Sequence, residues 1–507
     1  MAKKRVQHIF MLTREYDGLA GAGGIKDFSR QLAEALVRRG NRVSVLLPFY
    51  GFIDPRRFAF EKTAGSFEVD MPYVGRFRRE AVIIWATTLN GVDIYLAEAD
   101  RYREKQGVYA YTDEDCGDDP HNQKGMPHYD YFAMNVLLQK AAIAMIIRMG
   151  EKPEIIHCQD GHTAILPAMI REIGGYRHYF DGTGCVVTVH NAGRGYHQEI
   201  GDLAFAETLT GLPSRIILGN LLDGKFDPLL AASPYSLMNT VSENYARELR
   251  ETDDDALTGW LGHKLLNRGV VLEGVTNGIN PADYDPSAPE NLGLAAAFSP
   301  LQKSFAGKRR CRAALVKELG AAGSQTVAQT GFLDSRPTLP LLTFVGRLTP
   351  QKGVDKMISA LEALLPMDRK FQVLIQGSGS VEIENRLVAL AGDKRYRGRV
   401  CLLRGYDQSL AARIYAAGDF FLLPSQYEPC GLTDFIAQLF GNLPIVHHVG
   451  GLVKIIDGKT GLAYRPHTSA ALLAAILRAF ELFRRSPDRI GVMRQAAVRH
   501  IYQHYTW

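Results

Sequence analysis

The sequence predicts two doubly wound α/β domains facing each other across a cleft. Three observations carry this. The chain has 507 residues, more than one ordinary hydrophobic core accommodates. A strand–glycine loop–helix–strand pattern opens the chain and restarts at Leu341. In both halves, glycine-rich or charged turns directly follow apolar strands, the place where open α/β sheets hold ligands.

In the first half, Val6–Leu12 reads as a strand and Gly18–Gly24 as a glycine loop. Ile25, Phe28, Leu32 and Leu36 then fall on one helical face. Strands are expected at Arg42–Leu47, Ala81–Trp85, Val92–Leu96, Ile155–Cys158 and Val186–His190, with a helix over Tyr131–Met149. In the second half, strands are expected at Leu341–Val345, Phe371–Ile375, Val400–Leu403, Phe420–Leu423 and Pro444–Val446. A helix begins at Val354 and another spans Leu301–Leu319, within a looser stretch from Asn280 to Pro340. No repeat of 20–50 residues is apparent.

Hydrophobic residues make up 46% of the chain and charged residues 22%, as in a water-soluble globular protein. The net charge of +5 is a weak bias, and the basic clusters near Arg76, Arg309 and Arg395 are scattered among acids. They read as solvated helix faces, with no nucleic-acid or membrane partner expected. Six cysteines without a CxxC pair suit free thiols in a reducing compartment. The basic start is followed by too short an apolar run for a signal peptide. No uninterrupted apolar run reaches membrane length, and AAIAMIIRMG is broken by Arg148. A cytoplasmic location is the default expectation. The acidic runs Asp113–Pro120 and Asp253–Asp255 read as solvated loops or helix starts.

Four motifs carry chemistry. In LLPSQYEPCGL, Glu428 sits on a Pro-Cys-Gly turn between a strand and a helix, where an acid can bind sugar hydroxyls. Gly450-Gly451 forms a second such turn, expected to open another helix. GRLTPQKG places Arg347 and Lys352 on one loop after a strand, able to hold a diphosphate as it leaves, although a solvated basic turn has the same composition. GLAGAGGIKDF can bring backbone amides to a phosphate or a sugar, or simply turn the chain; it lacks the dinucleotide GxGxxG. HCQDGH follows a strand. Asp160 and His162 are site candidates there, or Asp160 caps the next helix and His162 packs; His157 and His162, five apart with no third ligand, argue against a metal.

In this order and spacing, the motifs resemble those of bacterial glycogen synthases and plant starch synthases. HCQDGHTAILP is similar to the family's HxHDWHTALVP, TVHNAGRGYH to TIHNLAYQG, NTVSENYAREL to TAVSPTYAREI, GVTNGINPADYDP to GILNGIDxxxWNP, and GRLTPQKGVD to SRLTxQKGxD. The block ending in EPCGL matches its family counterpart. The resemblance implies a GT-B fold of two Rossmann-like domains: residues 1–276 on the acceptor side, 277–484 binding the nucleotide sugar, and 485–507 a helix crossing back to the first domain. It implies retaining transfer of glucose from ADP-glucose or UDP-glucose to the non-reducing end of an α-1,4-glucan, with no metal and no cofactor. It implies a catalytic set of His162, Arg347, Lys352 and Glu428. It further implies substrate contacts from Gly23, Gly24, Asp27, Asn191, Gly346, Cys430, Gly431, Leu432, Gly450 and Gly451.

The chain also departs from the family. The KTGGL lysine falls on Gly21, and Lys26 is expected to leave the side of its helix, away from the loop. The FLKGG acceptor segment reads LLDGK, SRFEPCGL reads SQYEPCGL with Gln426, and RTGGLADTV reads HVGGLVKII with His448 and Lys454. YGDNxxRFA reads PHYDYFA, with Asp130 the nearest acid, and the chain stops at YTW. Two alternatives accompany these departures: a retaining GT-B transferase with another acceptor, or a catalytically weak glucan- or nucleotide-binding relative.

Overall fold

The computed structural model describes residues 6–118, 121–321, 324 and 326–507. The basic opening at 1–5, the end of the acidic run at 119–120 and positions 322, 323 and 325 of the central stretch lie outside the described residues. The chain divides into two compact units, Met1–Thr276 with Trp507, and Asn277–Thr506.

The described residues of the first unit form a nine-stranded sheet. In spatial order its strands are Glu273–Gly274, Leu237–Thr240, Gly184–Val189, Ile155–Gln159, His8–Leu12, Arg42–Pro48, Val92–Glu98, Arg79–Leu89 and Glu61–Asp70. The inner strands are parallel and buried on both faces, as the HIFML run of His8–Leu12 shows. Val92–Glu98, Arg79–Leu89 and Glu61–Asp70 close one edge as an antiparallel meander, where a purely parallel alternation was expected. From His8–Leu12 the chain winds to one side through Arg42–Pro48 and returns on the other at Ile155–Gln159. The loops after His8–Leu12 and Ile155–Gln159 therefore diverge at a topological switch point.

The second unit repeats this logic with seven strands: Ala328–Gly331, Val400–Arg404, Gln372–Gly377, Leu341–Val345, Phe420–Leu423, Leu443–His447 and Leu462–Tyr464. All pairings are parallel except that of the edge strand Ala328–Gly331. Its switch point lies between Leu341–Val345 and Phe420–Leu423. Helix Pro487–His504 buries Ile490, Met493, Ala497 and Ile501 within this unit, and Tyr505 meets Phe435 at 5.0 Å between ring centroids. The Tyr505 carbonyl accepts from the Ile279 amide, and Trp507 alone is grouped with the first unit.

Two local readings change. Helix Tyr131–Arg148 is long and apolar enough to span a membrane, but 72% of that stretch is buried in the protein. Within it, Asn135 and Gln139 are buried with hydrogen-bond partners, as in a core helix. Asp255, read as solvated, is fully buried; it accepts from the Gly262 and His263 amides and from the Thr258 hydroxyl.

Candidate active site

In the second unit, three loops emerge at the carboxyl ends of three adjacent strands. They are 346–353 after Leu341–Val345, 424–432 after Phe420–Leu423, and 448–452 after Leu443–His447. The first two are zipped together. The Gln426 amide donates to the Gln351 carbonyl at 2.9 Å, and the Gln351 side chain donates to the Tyr427 carbonyl at 2.8 Å. Gly353 has φ +66, and a Cβ there would lie 1.8 Å from the Pro424 carbonyl oxygen. His467 and His447 hold the other side of the turn through the carbonyls of Pro424 and Ser425, each at 2.8 Å.

This zipper delivers Lys352 to Glu428. The ammonium donates to the carboxylate at 2.6 Å, and the Ser425 hydroxyl donates to the same oxygen at 2.8 Å. Burial alone would raise the Glu428 carboxyl; the Lys352 charge and these hydrogen bonds reverse this and hold it below its ordinary value. Arg347 is exposed on the same loop, with Nη2 donating to Gln351 Oε1 at 3.2 Å. Gly346 precedes it, and a Cβ there would meet only the Phe344 ring. The two cations and the acid expected to share a site are thus carried by two interlocked loops at one switch point.

The third loop fits against the second through glycine. A Cβ on Gly450 would lie 2.1 Å from the Glu428 carbonyl oxygen, and one on Gly451 2.1 Å from that of Cys430. The Gly451 amide donates to the Glu428 carbonyl at 2.8 Å, so it is already engaged. Gly450–Lys454 is a short 3₁₀ turn and not the opening of a longer helix; Ile455 is extended, and Asp457 pairs onward with Gly461. Lys454 is buried. It donates to the carbonyls of Cys430 and Gly431 and pairs with Asp434 at 3.2 Å, clamping the Pro-Cys-Gly turn. Gly431, at φ +76, leaves room for this clamp, and Leu432 leads into helix Thr433–Leu439.

In the first unit, the glycine loop is organised by Glu15, which was not among the expected residues. Its carboxylate accepts from the Ala22 and Gly23 amides at 2.7 and 2.9 Å and from the Tyr109 hydroxyl at 2.7 Å. The Gly23 amide is therefore taken up within the protein. Gly24 begins the helix, and Asp27 lies in its first turn. The sequence signal for Glu15 was an acid directly between a buried strand and a glycine loop.

Lys26 departs from expectation. Its stem folds back over the loop, so that a Cβ on Gly21 would lie 2.2 Å from Lys26 Cδ. The ammonium pairs with Asp17 at 2.8 Å and with Asp27 at 3.4 Å. Attraction to Asp17 overrides the outward course expected of a helical side chain.

At the neighbouring loop, Asp160 adopts φ +56 and does not cap the next helix. Its Oδ1 accepts from the His190 amide at 2.6 Å and the Asn191 amide at 3.4 Å. Burial raises its carboxyl to about 7 against these bonds. His162 is buried and stacks on Tyr109 at 4.8 Å; burial, reinforced by the Arg14 charge, lowers it far below its ordinary value, so the imidazole is neutral. The Asn191 side chain accepts from the Gly193 amide at 2.8 Å.

The comparisons with known proteins agree with this geometry. Residues 8–263 match the starch synthase catalytic domain, and residues 330–491 match glycosyl transferases group 1. The chain belongs to the glycogen and starch synthase family. It is 30% identical over 510 residues to the glycogen synthase of Aeromonas salmonicida, covering 97% of this chain and 94% of that one. It is 31% identical over 486 residues to that of Anaeromyxobacter dehalogenans, covering 94% and 92%. The catalytic domain of starch synthase IV from Arabidopsis thaliana, bound to ADP and acarbose, matches with a TM-score of 0.81 at 25% identity over 97% of this chain and 95% of that one. Sucrose-phosphate synthase from Thermosynechococcus elongatus, at 17% identity and a TM-score of 0.58 over 99% and 95%, shares the fold. The family's GT-B fold is that of this chain.

Proposed function

We propose that this chain transfers glucose from a nucleoside-diphosphate glucose, ADP-glucose or UDP-glucose, to the non-reducing end of an α-1,4-glucan, with retention of configuration. The observation that carries the reading is the interlock of Arg347, Lys352 and Glu428 on two loops at the second unit's switch point. Membership in the family supports it, and so does the binding of ADP and acarbose by the Arabidopsis starch synthase.

In this reading, Arg347 and Lys352 neutralise the diphosphate, and Glu428 accepts from donor sugar hydroxyls. The bond from glucose C1 to the diphosphate oxygen breaks, and a bond to the acceptor O4 forms on the same face. The O4 proton passes to the departing diphosphate, leaving a nucleoside diphosphate and a glucan one unit longer. The preformed cations act where charge develops as the diphosphate leaves. The proposal includes substrate contacts from Gly346, Cys430, Gly431, Leu432, Gly450 and Gly451. It also includes contacts from Gly23, Gly24, Asp27, His162 and Asn191 of the first unit, and a cytoplasmic location suited to six free cysteines.

The test is a radiolabel assay with a panel of nucleotide sugars, with and without glycogen primer. Label entering primer from a glucose donor supports the reading. No incorporation from any donor refutes it. A second reading, transfer to a different sugar acceptor, is favoured by Gly161, where the family motif has a tryptophan, and by Asp223 in place of the acceptor-segment lysine. Label moving to another acceptor with glycogen inert would select it.

A further inference from the structure

The loop that carries Asn191 is held by a histidine that the proposed reaction does not use. His197 is buried, with Nδ1 2.7 Å from Asp227 Oδ2 and Nε2 2.7 Å from the Ala192 carbonyl oxygen. Both partners can only accept when Asp227 is ionised. Asp227 is itself committed: it is fully buried, and its other oxygen accepts from the Leu230 amide at 2.9 Å, capping helix Pro228–Ala232. A neutral imidazole carries one N–H and one lone pair, so it satisfies one of these oxygens and repels the other. Only the imidazolium donates to both.

The same segment is pressed against the His162 turn. A Cβ on Gly161 would lie 2.0 Å from the His197 carbonyl oxygen. Thus the backbone of His197 fills the space beside Gly161, and the Asp160 carboxylate ties the amides of His190 and Asn191 to the same turn. Moving His197 moves both edges of the Asp160–His162 turn.

We propose that protonated His197 is a positioning residue, a proton-dependent clasp that sets the Asn191 loop and the Asp160–His162 turn in their active arrangement. This deepens the reaction proposed above and rests on that reading for its effect on turnover. The charged groups facing the ring are Asp227 from the helix cap, Glu199 from its own segment and Asp160 from the neighbouring turn; Arg268 faces Asp227 from behind. Burial alone would lower His197, but the Asp227 carboxylate, with the Ala192 carbonyl and Glu199 behind it, raises it to about 8. The clasp is closed below that pH and opens above it.

Two measurements test this on the full chain. In protein labelled with ¹⁵N-histidine, the His197 ring, assigned by its absence in His197→Gln, should show two protonated nitrogens at pH 7. It should titrate near pH 8, moving the Ala192 and Asn191 amides at the same midpoint. Asp227→Asn should lower that midpoint, and this variant assigns the ring if His197→Gln does not fold. A neutral tautomer at pH 7, or backbone amides unmoved by the titration, overturns the clasp. Glucosyl transfer from pH 6.5 to 9 should fall past about 8 in the wild type. His197→Gln should be about 10–100-fold slower at pH 7, the scale of a misplaced site, and lack that alkaline limb. A His197→Gln profile that superposes on the wild type also overturns it. Absence of transfer at every pH refutes the glucosyltransferase reading instead, and the ring titration still decides the clasp.

Discussion

The Lys352 ammonium and the Glu428 carboxylate meet at 2.6 Å, although 76 residues separate them in sequence. Each neutralises the other in a largely buried place, so removing one leaves an uncompensated charge. Lys352→Ala, and separately Arg347→Ala, should lower kcat by about 10²–10³-fold, the scale of losing one preorganised donor to developing charge. Steady-state kinetics check this. Full activity and unchanged nucleotide affinity in both variants would remove these cations from the reaction.

Glu428 also sets an acid limit. Its folded-state value lies below its unfolded one, so its contribution to stability is complete above about 4.5 and is lost as pH falls through the lower folded value. Glu428→Gln should unfold with a flatter dependence on pH in that acid range. Parallel acid-titration curves for the two proteins would contradict this.

Asp160 predicts the opposite behaviour near neutrality. Its carboxyl is raised to about 7, so the folded protein favours the protonated form, and ionisation costs stability as pH rises from about 4 through 7. Asp160→Asn resembles the protonated acid. Its thermal midpoint should gain on the wild type as pH rises from about 4 to 7 and level off above that, as read by calorimetry. A constant difference across that range would show that Asp160 does not titrate there.

Gly21→Lys, which restores the family lysine in sequence, should not restore it in space. Its side chain would start where Lys26 Cδ lies, displacing Lys26 from Asp17 at a cost of about 1 kcal/mol. In a Lys26→Ala background that cost should vanish, giving a coupling visible in a double-mutant cycle. Calorimetry with ADP and UDP should show tighter binding only in the double variant. Equal gains from Gly21→Lys with and without Lys26 would mean that the two side chains do not compete.

Retention should be visible in the product. NMR of the initial product should show α linkages only. A β linkage, or a trapped glycosyl ester on Glu428, would replace same-face departure with another mechanism.

The strands that line the site were legible because they are buried on both faces. Phe420–Leu423 reads as an unbroken apolar run and Leu341–Val345 as one interrupted only by Thr343, and the strand ends coincide with those runs. Glu61–Asp70 was not legible. It lies at a sheet edge, reads EKTAGSFEVD, and pairs antiparallel with a register shift between Lys62 and Ser66, so neither alternation nor an apolar run marks it. The motifs identified Lys352 and Glu428 as candidates, because a charged residue on a tight turn after a strand is visible locally. Residues that act at a distance were not visible. Nothing near Lys26 announces that Asp17 will draw it over Gly21. The closing histidine of TVHNAGRGYH gives no hint of Asp227, 30 residues later.

Gly353, Gly450 and Gly451 each bring main chain against main chain, with no side chain as intermediary. Loops that touch in this way share their fate in thermal motion: none can lift without parting from its neighbour's carbonyls. Gln426 and Gly451, which donate across these seams, should therefore exchange their amide protons through one common opening. Meanwhile Gln426 itself is exposed, and it is its backbone amide that bonds across the seam. The side chain at this position can therefore be exchanged while the backbone donor beneath it stays in place, at little risk to the fold.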